Sequence, residues 1–163
     1  MRRTALLAIV LALTAGAAAS ASLPNQGVLV PGRSLGGVRL GESETGLKTA
    51  LGSHSTCNGC RTTTWYFTYK LYDAHGLAVE LTKNRVSGIY TLWQPPGWRG
   101  PGGLALGASE GQVFSAAGPL VTVKCPSYDV LVRDSSHART AYYIADDKLY
   151  AFGLFRRGAS PCR

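Results

Sequence analysis

The chain has 163 residues, 45% of them hydrophobic and 16% charged, and its 17 Lys and Arg against 9 Asp and Glu give a net charge of +8. That length fits one ordinary domain or two very small ones, and the apolar content excludes a disordered polar chain. The basic residues stand singly apart from the pairs Arg2-Arg3 and Arg156-Arg157, which argues against the clustered patch that nucleic-acid binding asks for.

Residues 1–21 follow the order of a secretory signal peptide. Arg2-Arg3 make a basic start, Leu6 to Leu13 an apolar run, and Ala17 to Ala21 a small-residue end with Ala-x-Ala sites before residues 20 and 22. The run falls short of the roughly 18–20 residues a spanning helix needs, so no stable membrane insertion is expected after cleavage. Without Arg2 and Arg3, fifteen bases face nine acids and the charge becomes +6. Such a surface favours solubility and weak attraction to anions.

Residues 22–33 read as an N-terminal extension, and 34–93 as a first structural unit. Its entry is Gly37-Val-Arg-Leu-Gly-Glu-Ser-Glu-Thr-Gly-Leu-Lys-Thr-Ala-Leu-Gly52. Ser43 suits a helix N-cap, Leu47, Ala50 and Leu51 follow at helical spacing, and Gly52 suits the stop. After Cys57-Asn-Gly-Cys60 comes Thr64–Tyr72, which alternates as a strand. Trp65, Phe67, Tyr69 and Leu71 share the expected core face, and Tyr66, Thr68, Lys70 and Tyr72 the other. Asp73 to Gly76 turns the chain, Leu77, Val79 and Leu81 alternate again, and Lys83-Asn84 leads into a third strand, Arg85 to about Trp93.

Residues 94–102 carry the proline and glycine of a linker. A second unit, 103–163, then opens on Gly103 to Gly118, which matches Gly37 to Gly52 at seven of sixteen positions without a gap. Background composition gives roughly one or two matches. Ser109 again caps, and Gln112 three residues on completes a capping box. Strands are expected at Tyr128–Arg133, Arg139–Ala145 and Lys148–Phe155. The expected fold is therefore α+β: two tandem repeats, each one or two short helices followed by a three-stranded antiparallel meander.

Four cysteines in an exported chain read as two disulfides, for which three pairings are open. One bond inside each unit, Cys57–Cys60 and Cys125–Cys162, is favoured. The tandem units, the paired cysteines and the Gly-x-x-Leu-Gly helix entry resemble the secreted β-lactamase inhibitor proteins of actinobacteria and, more distantly, the small outer-membrane assembly lipoproteins. The resemblance implies a concave sheet face that grips a target protein with aromatic and polar side chains. It carries no target across.

Three motifs suggest chemistry and each has a plainer reading. Gly107-Ala-Ser-Glu-Gly111 satisfies G-x-S-x-G, with Asp129 or Asp134 and His137 following in hydrolase order. A hydrolase needs a wide parallel sheet that meanders do not build, and capping alone explains Ser109. Cys57-x-x-Cys60 follows a helix rather than opening one, which favours a structural disulfide over a thiol oxidoreductase. His54, Cys57 and Cys60 supply three metal ligands where a closed site wants four, the fourth having to come from His75, Cys125 or His137. The expectation is thus no catalytic residue, no metal and no cofactor. Eight tyrosines and three tryptophans remain, and tyrosine and arginine on an open sheet face dominate protein interfaces. Tyr66, Lys70, Tyr72, Glu80, Arg133 and Tyr143 are the expected binding residues, facing an extracellular protein or other ligand. The alternatives are a small secreted enzyme or a structural envelope component.

Overall fold

The computed structural model describes residues 22–57 and 63–163. The expected signal peptide and the Cys57–Cys60 pair, through Cys60, lie outside the described residues.

Each helix forms where its cap directs it. Ser43 Oγ accepts from Gly46 N at 3.2 Å and α1 runs Glu44–Leu51. Ser109 Oγ accepts from Gln112 N at 3.3 Å, Gln112 Oε1 accepts from Ser109 N at 2.8 Å, and α2 runs Glu110–Ala117. Just ahead of each cap, Gly41 and Gly107 take φ +83° and +89°. No heavy atom lies within 4 Å of a Cβ built on either, so the left-handed backbone rather than space demands glycine there. That turn aims the chain at a strand. Gly41 N donates to Val86 O and Val86 N to Glu42 O; Gly107 N donates to Leu149 O and Leu149 N to Ala108 O.

The described residues hold eleven strands. β1 (Leu29–Val30), β2 (Ser34–Leu35) and β3 (Val38–Arg39) make a small antiparallel sheet. β4 (Ser55–Thr56), β5 (Thr63–Thr68), β6 (Gly76–Thr82), β7 (Arg85–Leu92), β8 (Val121–Lys124), β9 (Asp129–Asp134), β10 (Ala138–Ala145) and β11 (Lys148–Arg156) form one eight-stranded sheet. Its order is β4-β5-β6-β7-β11-β10-β9-β8, antiparallel throughout. The fold is α+β. Among the described residues, each half of this sheet has four strands, one more than the expected meander, and one helix beside it, because Ser55-Thr56 and Val121–Lys124 pair at the outer edges. β7 and β11 pair at the centre through Gly153↔Tyr90, Leu154↔Ile89 and Phe155↔Gly88, so both halves share one sheet.

The β6–β7 and β10–β11 hairpins turn on Lys83-Asn84 and Asp146-Asp147, both residues of each pair at positive φ. This is the paired left-handed geometry that matches strand twist in a two-residue hairpin.

One sheet face carries the main core. Leu47 and Leu51 of α1 and Val113 and Ala117 of α2 bury against Phe67, Leu77, Val79, Ile89, Tyr142, Phe152 and Leu154. The stretches read as extension and linker are both built into this core. Leu23 and Leu29 are buried, and Trp98 is 1% exposed. Trp98 Nε1 donates to Tyr69 Oη at 2.6 Å, and Tyr69 Oη donates to Pro24 O at 3.2 Å. A Cβ on Gly27 or Gly36 would stand within 2.5 Å of the Trp98 ring, so these glycines allow the chain to cross the indole. Among the described residues, no helix is long and apolar enough to cross a membrane.

Candidate functional site

The sheet face away from the helices is closed at its centre by the chain's own last residues. Val130, Val132, Ala141, Tyr143, Ala151 and Phe155 bury there as a second core, with Tyr90, Tyr128 and Tyr150 packed against them. Cys125 bonds to Cys162 as expected, and this ties the tail down over that cluster. Tyr143 Oη donates to Pro161 O at 2.8 Å. The Arg163 guanidinium lies 4.3 Å from the Phe155 ring centroid and pairs with Glu80, Nε to Oε1 at 2.6 Å.

This changes the expected binding set. Tyr143 does stand on the far face, but it is 3% exposed and held by the tail. Burial raises its phenol well above the ordinary tyrosine range. Glu80 is engaged by Arg163. Arg133 belongs to the helix side, its Nη1 donating to Ala117 O at 3.1 Å at the end of α2. Alternation places it with Leu131, which packs in the main core.

Tyr66, Lys70 and Tyr72 are brought together elsewhere. They line an open cleft of about 770 Å³ at the end of the first half, with His54, Ser53, Leu71, Asp73, Leu92 and Trp93. The strand expected to run to Tyr72 stops at Thr68. Thr68 Oγ1 donates to Lys70 O at 3.0 Å, Asp73 N donates to the same carbonyl at 3.0 Å, and His75 N and Nδ1 meet Asp73 Oδ1 at 2.9 and 2.8 Å. These local bonds end the ladder and make a tight loop. Its apex presents Leu71, 83% exposed and so not in the core as its alternation suggested, and Tyr72, 95% exposed.

Across the cleft Trp93 is 72% exposed, a residue the sequence reading placed only at a strand end. Tyr72, Trp93 and Gln94 have φ of 65°, 49° and 50°. A bulky residue in that region is uncommon and costs on the order of 1–3 kcal/mol. The backbone is strained where it holds two large aromatics out into solvent. The signal available in the sequence was Leu92-Trp93-Gln94-Pro95: proline cannot donate to the ladder of a strand paired on both sides, so the strand ends ahead of it, and a tryptophan stands at that end.

His54 also lines the cleft; its ring stacks on Trp65 with centroids 3.7 Å apart, while Lys48 Nζ lies 5.2 Å from the Trp65 ring centroid. Burial, then the Lys48 charge, lowers the His54 pKa, with Glu44 opposing.

The motifs with catalytic readings are otherwise occupied. Ser109 Oγ caps α2, Asp129 pairs with Lys124, and Asp134 makes two 2.8 Å bonds to Arg139. Cys125 is bonded to Cys162 and is not available as the fourth metal ligand. Among the described residues no group of three His, Cys, Asp or Glu side chains is placed to hold a metal.

No family model matches the chain, and no curated protein matches it. Two solved structures share its fold. A DUF4309 family protein (YjgB) from Bacillus subtilis subsp. subtilis str. 168 has 13% identity and a TM-score of 0.54 over 74% of this chain and 83% of that one. An extracellular protein containing a SCP domain from Bacillus anthracis str. Ames has 11% identity and a TM-score of 0.50 over 72% of this chain. That match spans 44% of the neighbour's length. At these identities the likeness is one of fold.

Proposed function

We propose that this is an exported, non-catalytic binding protein that captures an extracellular ligand in the cleft between the Lys70–Asp73 loop and Trp93. The observation that carries the reading is the pair Tyr72 and Trp93, both largely exposed, both at positive φ and both lining the same cleft. Folding gains nothing from aromatics in solvent, whereas a partner that covers them gains their whole area at little cost in side-chain freedom. Lys70 and the neutral face of His54 add one charge and one flat surface. Export is supported by the signal-like first 21 residues and by the Cys125–Cys162 bond, which suits an oxidising compartment. The inhibitor-like use of a two-unit sheet protein, implied by the sequence resemblance, belongs to the proposal with one change. The gripping surface is the end cleft rather than the sheet centre, since the tail covers the centre.

The test is a Lys70→Ala/Tyr72→Ala/Trp93→Ala protein, immobilised beside the wild type and exposed to the producing organism's secreted fraction. Species held by the wild type and absent from the variant, at an unchanged thermal midpoint, support the reading. Identical retained species would sink it.

A further inference from the structure

A second cavity, of about 290 Å³, lies where the β1–β2 turn and β3 meet the β9–β10 turn. It is lined by Gly32, Arg33, Arg39, Leu40, His137 and Ala138. The three elements are fixed to one another. Gly32 N donates to Thr140 Oγ1 at 2.9 Å, docking the β1–β2 turn onto β10. Ser34 and Arg39 are register partners across β2 and β3, and His137 O accepts from Arg157 N at 3.2 Å.

The charges around this cavity are unbalanced. Neither Arg33 nor Arg39 forms an ion pair among the described residues, and no acidic side chain lines the space. The nearby acids are committed elsewhere. Asp134 is bidentate on Arg139, and Glu42 Oε2 accepts from the backbone N of Arg39 at 3.1 Å. Two exposed arginines and an exposed histidine thus line one space, and none of the three side chains has a hydrogen-bond or ion-pair partner among the described residues. A cavity of this size takes a small headgroup rather than a polymer segment.

We propose that this cavity is an anion site that takes a phosphoryl group. Guanidinium forks match the tetrahedral oxygens of phosphate in a way a lone ammonium does not, and His137 adds a third direction of donation. The group is carried either by a soluble phosphate ester or by a phosphodiester on an extracellular surface. The two sources share the same contacts.

The experiment titrates the full exported chain with inorganic phosphate at constant ionic strength against chloride, following the His137 imidazole by NMR. A saturable shift is expected, at least tenfold weaker in Arg33→Gln/Arg39→Gln and unchanged in Lys83→Ala/Lys148→Ala, which removes equal charge at exposed residues that do not line the cavity. Retention on phosphatidylglycerol vesicles but not phosphatidylcholine vesicles, lost in the arginine double variant, supports the site and assigns it to surface phosphodiesters. Phosphate binding without vesicle retention supports it for soluble esters. No saturable shift at His137, or equal affinity in the arginine and lysine variants, overturns it. The Lys70, Tyr72 and Trp93 substitutions should leave this titration untouched, so the cleft and the anion site fail or stand separately.

Discussion

Tyr72 and Trp93 cost the fold strain and return it little burial, and the cleft beside them also holds a histidine, His54, whose protonation is shifted. Its imidazole stacks on Trp65 beside Lys48, and both burial and that neighbouring charge favour the neutral ring. The native state then binds this proton less readily than the unfolded chain. The contribution of His54 to stability is thus full above the unfolded pKa near 6.5 and falls as pH drops below it. A His54→Phe protein, which keeps a flat ring on Trp65, should show a shallower loss of thermal midpoint between pH 6.5 and about 5 than the wild type. Equal slopes would show that the imidazole is not held neutral. The sequence showed Tyr66, Lys70 and Tyr72 as outward residues, and they share the cleft. It did not show Trp93 or Leu71, because period-two alternation continues through Tyr72 although the loop bonds of Thr68 and Asp73 end the strand first.

At the scale of elements, the helix entries were legible because their physics is local. A left-handed glycine, a serine three residues before the backbone N–H it caps, and a leucine beneath are all specified within a few residues. Ser109→Ala should lower stability by about 1 kcal/mol in a denaturant melt, since it removes the acceptor for Gln112 N and strands the reciprocal bond. The same variant should retain whatever the wild-type protein captures, because Ser109 does not line the end cleft. A loss of function at full stability would revive the catalytic reading of Gly107-Ala-Ser-Glu-Gly111. The edge strands were harder to read. Ser55-Thr56 carries no periodic signal in two residues, while Val121-Thr-Val carried a β-branched one. The 22–33 and 94–102 stretches looked like connections by composition, yet Trp98 anchors them. Its burial depends on Gly27 and Gly36 meeting it from far along the chain, which local pattern does not encode.

The eight-stranded sheet spans both halves of the molecule and is covered on each side, by the helices on one face and by the tail at the centre of the other. What uncovers or fastens those faces decides the stability and the reach of the protein. The Cys125–Cys162 bond closes a loop over a sequence separation of 37, which in a chain-entropy account amounts to about 4 kcal/mol. Cys125→Ala/Cys162→Ala should therefore lower unfolding free energy by that order and release the tail from Tyr143 and Glu80, seen as increased proteolysis near residue 160. An unchanged melt would mean the tail holds without its bond. Which face remains available for a partner follows from this arrangement, and it was out of reach of the sequence because the tail contacts strands separated from it by up to 83 residues. The central claim is that ligand is taken at the end cleft and not at the sheet centre. Capture from the secreted fraction should be compared between Lys70→Ala/Tyr72→Ala/Trp93→Ala and a Glu80→Gln protein altered under the tail. Loss in the cleft variant with capture preserved in Glu80→Gln is the predicted result. Capture preserved in the cleft variant and lost in Glu80→Gln would contradict it.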